Sequence, residues 1–324
     1  MRHHRGMVRR ALMVALGCGA LIGAAGCAGT ETGGGKDKKP RVGLVVINQE
    51  ALFFKQMIQG AKKAAADEGV DLVITNGNND PSAQTTAVEN YTQQQLDAVI
   101  VNPIDADAIK PAIKTAKDGG LDVIAVDAVL NDPNVMTEVG TDNLASGRQI
   151  GEFFTKWAQD KGGKPHTIGE VAALNSTVQI ARQNGFDGVV KNAGHRIVQV
   201  VDGKNVQETA LGAAENLITG QGSKMDAVYA TGEPALLGTL AAAKSQKATG
   251  RLAIFAWDLT KEAIAGIDAG YVKGVVQQDP YTEGVRAVEA AAQAAKGQTP
   301  PKRIKVPITI VTKDNVDRYR KLFR

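Results

Sequence analysis

Cysteine and histidine are nearly absent, with two of the first and four of the second in 324 residues. Cys18 and Cys27 both fall in the N-terminal segment, so the chain beyond it has no intramolecular disulfide to form. His3 and His4 lie there too, and His166 and His195 stand apart in polar, loop-like stretches where solvent exposure is expected. Metal-assisted and nucleophilic chemistry thus lack their usual side chains. No GxxxxGK(S/T), HExxH, GxSxG or CxxC occurs. The first apolar run continues as VVINQEALFF, without a glycine, which argues against a pyrophosphate cradle there. Net charge is missing as well. The formal +4 comes from Arg2, Arg5, Arg9 and Arg10; 38 Lys and Arg less these four leaves 34, matched by 34 Asp and Glu. A neutral body removes the electrostatic case for nucleic acid as a partner.

What is there begins with an export signal over residues 1–26. MRHHRGMVRR is a basic leader and ALMVALGCGALIGAAG a short apolar run of mostly small residues. That run is too short and glycine-interrupted for a membrane-spanning helix, and no later segment approaches the required length. The context LIGAAGCAGT resembles a bacterial lipobox, in which Cys27 is diacylated and becomes the mature N-terminus; the alternative is a spectator thiol beside an ordinary cleavage site. Cys18 is a weaker second candidate, since cleavage there leaves an apolar tail. Residues 27–40 read as a polar, Gly-rich flexible tether. With Cys27 lipidated, the protein is expected on the outer face of the cytoplasmic membrane, exported and lipid-anchored.

From Val42 short apolar runs alternate with longer amphipathic ones. VGLVVI, DLVIT, DAVIVN, DVIAVD, TIGEVA, RIVQVV, DAVYAT, LAIFAW and VKGVVQ are separated by helical patterns such as KQMIQGAKKAAADEG and PALLGTLAAAKSQKA. Apolar strands with little internal alternation, interleaved with helices, indicate parallel sheets covered on both faces. The class is α/β, doubly wound. About ten or eleven such runs exceed the roughly five or six strands of one ordinary sheet, so two similar sheets are expected, with a break near GTDNLASG (140–147).

Three of the runs end alike: AVIV in Asn102, VIAV in Asp127 and IFAW in Asp258. In an open parallel sheet, ligands bind in the crevice at the carboxyl ends of strands. Each residue also has a local reading, as an Asx turn or helix cap. The adjacent Phe53 and Phe54, in a chain only 4% aromatic, are either core packing or a surface for something flat and partly apolar.

VGLVVINQEALFFKQMIQGAKKAAADEGVDLVI, VIVNPIDADAI, VIAVD, GTDNLASGRQIGEFF, ARQNGFDGV, AVYATGEPALLGTL, FAWD and VVQQDPYTEG follow one another between residue 41 and about 312. In this order they resemble the ribose-binding-protein group of bacterial periplasmic binding proteins, type I. The resemblance implies two Rossmann-like, doubly wound parallel-sheet lobes joined by three crossovers. It sets an N-terminal lobe at 41–141 and 279–308 and a C-terminal lobe at 142–278 and 309–324. A sugar is expected between them, with closure by hinge bending. Neither cofactor nor enzymatic activity is implied, the partner is an ABC transporter permease, and the state is monomeric.

By position, the resemblance implies that Phe53 and Phe54 stack on the C–H face of a sugar, with core packing open for either one alone. Asp127 and Asp258 accept hydroxyls, and Arg182 donates as a planar fork, the alternative being a surface salt bridge. Gln278 lies near a crossover, Asn102 matches a less direct, loop-orienting residue, and Asn205 falls loosely near a stacking aromatic. The chain departs from the family where Ala51 replaces an Asn, Ala128 an Arg, and Gly232 and Glu233 an Asn-Asp pair. Gln49 and Glu233 are candidates for different contacts, so another monosaccharide or a linear sugar alcohol is expected in place of ribose. The same closure could serve a membrane kinase or chemoreceptor as a sensor. A transcription regulator would need a helix-turn-helix where this chain has an export signal.

Overall fold

The computed structural model describes residues 39–50 and 52–323. The export segment, Cys18, Cys27, the tether as far as Lys38, and Ala51 lie outside the described residues. β1 (Arg41–Val46), α1 (Leu52–Glu68), β2 (Asp71–Asn76), α2 (Pro81–Gln93), β3 (Ala98–Val101), α3 (Lys110–Asp118), β4 (Asp122–Val126) and β5 (Thr137–Gly140) come first. The pattern then repeats with α4 (Asn143–Asp160), β6 (Thr167–Ala172), α5 (Thr177–Asn192), β7 (Arg196–Asp202), α6 (Gln207–Gln221) and β8 (Ala227–Ala230). It continues through α7 (Glu233–Ser245), β9 (Ala253–Trp257), α8 (Lys261–Asp268), β10 (Val272–Gln277), α9 (Pro280–Ala295), β11 (Arg303–Lys305) and β12 (Thr309–Val311).

The strands form two six-stranded sheets, ordered β11-β5-β4-β3-β1-β2 and β12-β10-β9-β8-β6-β7. Every pairing is parallel except β10 with β12. The first five strands of each sheet share one order, and the chain passes between the sheets three times. This is the two-lobed α/β architecture the sequence led us to expect. The central strands β3, β8 and β9 are buried from end to end, because helices cover both faces and their Val, Ile and Ala side chains have no solvent side to serve. Edge strands β2 and β7 are half-exposed. Helix starts are set locally: Asp80, Asp142, Ser176, Thr260 and Asp279 each accept a backbone N–H of the first turn. Among the described residues no helix is long and apolar enough to cross a membrane.

Two helix pairs are pressed together through glycine. In the α1–α9 pair a Cβ on Gly60 would lie 2.0 Å from the Tyr281 carbonyl oxygen, and one on Gly284 would lie 2.0 Å from that of Met57. The α4–α5 pair repeats this: a Cβ on Gly147 would sit 2.2 Å from the Arg182 carbonyl oxygen and one on Gly185 2.2 Å from that of Leu144. Gly60 and Gly185 are both ninth in their helices, Gly147 and Gly284 both fifth. The two sheets therefore carry equivalent helix crossings, a repeat the sequence does not display. Gly284→Ala is expected to cost about 1–3 kcal/mol and lower the melting temperature, because the obstructing atom is backbone and cannot swing aside. An unchanged thermal melt would contradict this close approach.

The structure corrects one expectation. His195 is buried, its Nδ1 accepting the His166 N–H at 3.1 Å and its ring packed edge-on to Phe154 at 5.1 Å. It serves the core of the second sheet, and burial, helped by nearby His166, lowers its pKa.

Candidate functional site

The site starts from two strand ends built alike. Asp127 follows β4 and Asp258 follows β9, and both adopt left-handed backbone, with φ of 57° and 65°. Aspartate tolerates this region better than most residues. Each N–H still pairs with the neighbouring strand, Asp127 to the Val139 carbonyl and Asp258 to that of Val276, both at 2.8 Å. The chain is thus anchored where it turns, and each carboxylate lines a cavity of about 900 Å³ walled by residues from both sheets.

Behind Asp127, Asn102 is 1% exposed and does not line the cavity. Its Nδ2 donates to the Val126 carbonyl at 3.1 Å and to Asp127 Oδ2 at 3.4 Å. Gln84 braces the loop, Nε2 donating to the Asn102 carbonyl at 2.7 Å and Oε1 accepting the Ile104 N–H at 2.9 Å. Asn102 therefore positions the carboxylate from below.

Arg182 is 4% exposed. Its guanidinium carbon lies 3.9 Å above the Trp257 ring, Nε donates to Asn143 Oδ1 at 2.9 Å, and Nη1 reaches the Thr231 carbonyl at 3.2 Å and Asp258 Oδ2 at 3.3 Å. The other Asp258 oxygen accepts Gln278 Nε2 at 2.7 Å. Arg182 is a clamped buried cation, and the surface salt bridge that the sequence left open does not describe it.

Electrostatics follow from burial. Desolvation pushes the Asp127 carboxyl up to about 7; Arg182 opposes the rise, Asp258 adds to it and the Asn102 hydrogen bond opposes it. Glu233 lines the cavity, and its carboxyl is raised by desolvation, then by Asp258 and Glu262. Glu283, fully buried in the first turn of α9, accepts from Thr141 Oγ1 at 3.2 Å and is held well above the usual carboxylate range by burial and by nearby Asp127.

Phe53 and Phe54 both line the cavity, half-buried, with ring centroids 5.3 Å apart at 80°. Phe53 also packs on the first sheet's core, so its ring serves both uses. Asn205, Glu233 and Gln278 line the cavity as well. Gln49 is half-buried and is not among the lining residues. Sequence reasoning did not single out Gln179, Thr231, Glu283 or Phe323. Gln179 stands three residues before Arg182, a helical spacing that puts both on one face, and that spacing was the available signal. Phe323 lines the cavity from the far end of the chain.

A family model described as a periplasmic binding protein domain matches residues 42–299. This chain belongs to that family. The ribose import binding protein of Bacillus subtilis (strain 168) is 29% identical over 282 residues, covering 86% of this chain and 89% of that protein. The xylitol-binding protein of Mycolicibacterium smegmatis is 28% identical over 300 residues, covering 91% and 83%. A solved structure, the periplasmic ribose ABC transporter from Conexibacter woesei, superposes with a TM-score of 0.79 at 27% identity, covering 89% of this chain and 97% of that one. As a periplasmic binding protein the molecule belongs to a class of binders, not enzymes. Its site can accept hydrogen bonds from hydroxyls at Asp127 and Glu233, offer aromatic faces at Phe53 and Phe54, and compensate negative charge through Arg182.

Proposed function

We propose that this protein is an extracytoplasmic solute-binding lipoprotein that captures a monosaccharide or sugar alcohol between its two lobes and delivers it to an ABC importer. The observation that carries the reading is the cavity itself, where aromatic rings from one sheet and a clamped Arg182–Asp258–Gln278 set from the other share one space with Asp127. A polyol needs both kinds of surface, since its hydroxyls must be re-satisfied once buried while its C–H face rests on apolar rings. Relatives named for ribose and for xylitol import or binding support the same class.

In this reading the lobes comprise 41–141 with 279–308 and 142–278 with 309–324, and closure brings both onto the ligand. Cys27 carries the lipid anchor, the permease is the protein partner, and the protein acts as a monomer. A thermal-shift screen from Ala28 onward, against pentoses, hexoses, linear polyols and nucleosides, tests the binding step, because a ligand that binds only the folded state raises the melting temperature. A rise of several degrees with one sugar or polyol is expected. No shift with any sugar or polyol would overturn the reading.

A further inference from the structure

On the second lobe's side of the cavity, three polar side chains are joined in series. Thr231, fully buried just after β8, has its Oγ1 2.6 Å from Gln179 Oε1, and Gln179 Nε2 is 2.7 Å from Asn205 Oδ1. Gln179 is 6% exposed. In this network the Thr231 hydroxyl donates to the Gln179 carbonyl oxygen, the Gln179 NH2 donates onward, and the Asn205 oxygen is consumed. Asn205 is exposed and lines the cavity in left-handed backbone, φ 59°, and its side chain is held through Oδ1. Gly232 belongs to the same arrangement, since a Cβ there would lie 2.9 Å from the Gln179 amide. The glycine makes room for Gln179. Thr231 ties the series to the Arg182 clamp through its carbonyl oxygen, which accepts Nη1.

We propose that Gln179 is a specificity-determining positioning residue: through the relay Thr231–Gln179–Asn205 it holds the Asn205 amide with its NH2 toward the ligand. The second lobe then offers a fixed donor to one ligand oxygen, while Asp127 and Glu233 accept from hydroxyls elsewhere in the cavity. The matching ligand is a neutral polyhydroxylated molecule that donates to the carboxylates and accepts from Asn205. Sugar acids fit poorly, because their carboxylate would share the cavity with Asp127, Glu233 and Asp258. This inference rests on the sugar-or-polyol reading above.

The test is a double-mutant cycle by isothermal titration, using whichever pentose, hexose or polyol of the thermal-shift panel, with ribose, xylitol, myo-inositol and D-allose included, binds the wild-type protein most tightly. Gln179→Leu and Asn205→Ala are each expected to weaken binding about tenfold, the worth of one well-placed hydrogen bond. The double variant should bind no worse than Asn205→Ala alone, because Gln179 acts through Asn205. Gln179→Glu, which accepts at both ends and so turns the Asn205 oxygen toward the cavity, should lose as much as Gln179→Leu. Losses that simply add in the double variant would assign Gln179 a structural role and overturn the relay. Wild-type affinity in Gln179→Glu would overturn the donor direction. If the wild-type protein binds no sugar or polyol of that panel, the sugar-or-polyol reading falls, and this inference falls with it.

Discussion

Replacing Arg182 by alanine is expected to raise the ligand dissociation constant about 100-fold or more and to lower the melting temperature of the empty protein. The guanidinium is the cation that opposes the negative charge of both Asp127 and Glu283, and it donates directly to Asp258. Removing one partner of a buried ion pair typically costs about 3–5 kcal/mol, since the other charge is left uncompensated. The structure adds a second consequence, because the same side chain lies on Trp257 and satisfies Asn143 and Thr231. Arg182→Lys keeps the charge but loses the planar fork and the stack, so an intermediate loss of affinity is expected. Titration calorimetry with thermal melts separates the effects, and binding within threefold of wild type in Arg182→Ala would remove Arg182 from the site.

Asp127→Asn should act in opposite directions on stability and binding. With its carboxyl pushed up to about 7 in the folded protein against 3.8 ordinarily, Asp127 holds a proton that the unfolded chain has released between those values. Its favourable contribution is therefore fully present below about 4 and is lost as pH rises through about 7. The asparagine carries no charge to desolvate, so the empty variant should melt higher than wild type at pH 8. Its ligand affinity should fall about 10- to 100-fold, because a carboxylate that accepts from hydroxyls becomes a neutral amide. Wild-type affinity should itself weaken as pH drops below 7, where the acid form accumulates, and this dependence should shrink in the variant. Glu283 and Glu170, also raised by burial, contribute slopes of the same sign that persist in both proteins. Melts and titrations at pH 5, 6, 7 and 8 check this, and identical pH slopes in the two proteins would refute it.

Much of this site was legible because strand ends announce themselves. An apolar run ending in Asn or Asp marks both where a strand stops and what it presents, and that signal leads to Asp127 and Asp258. The nine runs quoted from the sequence all became strands. β11 and β12, of three residues each, are edge strands too short for any pattern to show, and β5, TEVG, has a single large apolar residue and so does not read as an apolar run. Gln179 and Thr231 escaped for another reason. A buried polar residue, on a helix as Gln179 is or just past a strand as Thr231 is, looks like any exposed one until its partners are known, and Asn205, Gln179 and Thr231 converge only through the parallel order of β6, β7 and β8. Asn102 shows the limit from the other side: its place at a strand end was readable, but its position beneath Asp127 was not.

The interleaving of the chain bears on how the protein is made. Helix α9, whose glycine contact with α1 closes one face of the first sheet, comes from residues 280–295, and β11, that sheet's outer strand, from 303–305. During synthesis the first sheet's opening strands emerge long before the parts that cover them, whereas strands β6 to β10 and their helices emerge as one uninterrupted stretch. The first sheet thus waits for α9 and β11, by which point five of the second sheet's six strands are already made and only β12 is outstanding. A nascent chain that has passed β5 therefore still lacks the helix and the outer strand its first sheet needs, and it stays unfinished until about residue 305 is made.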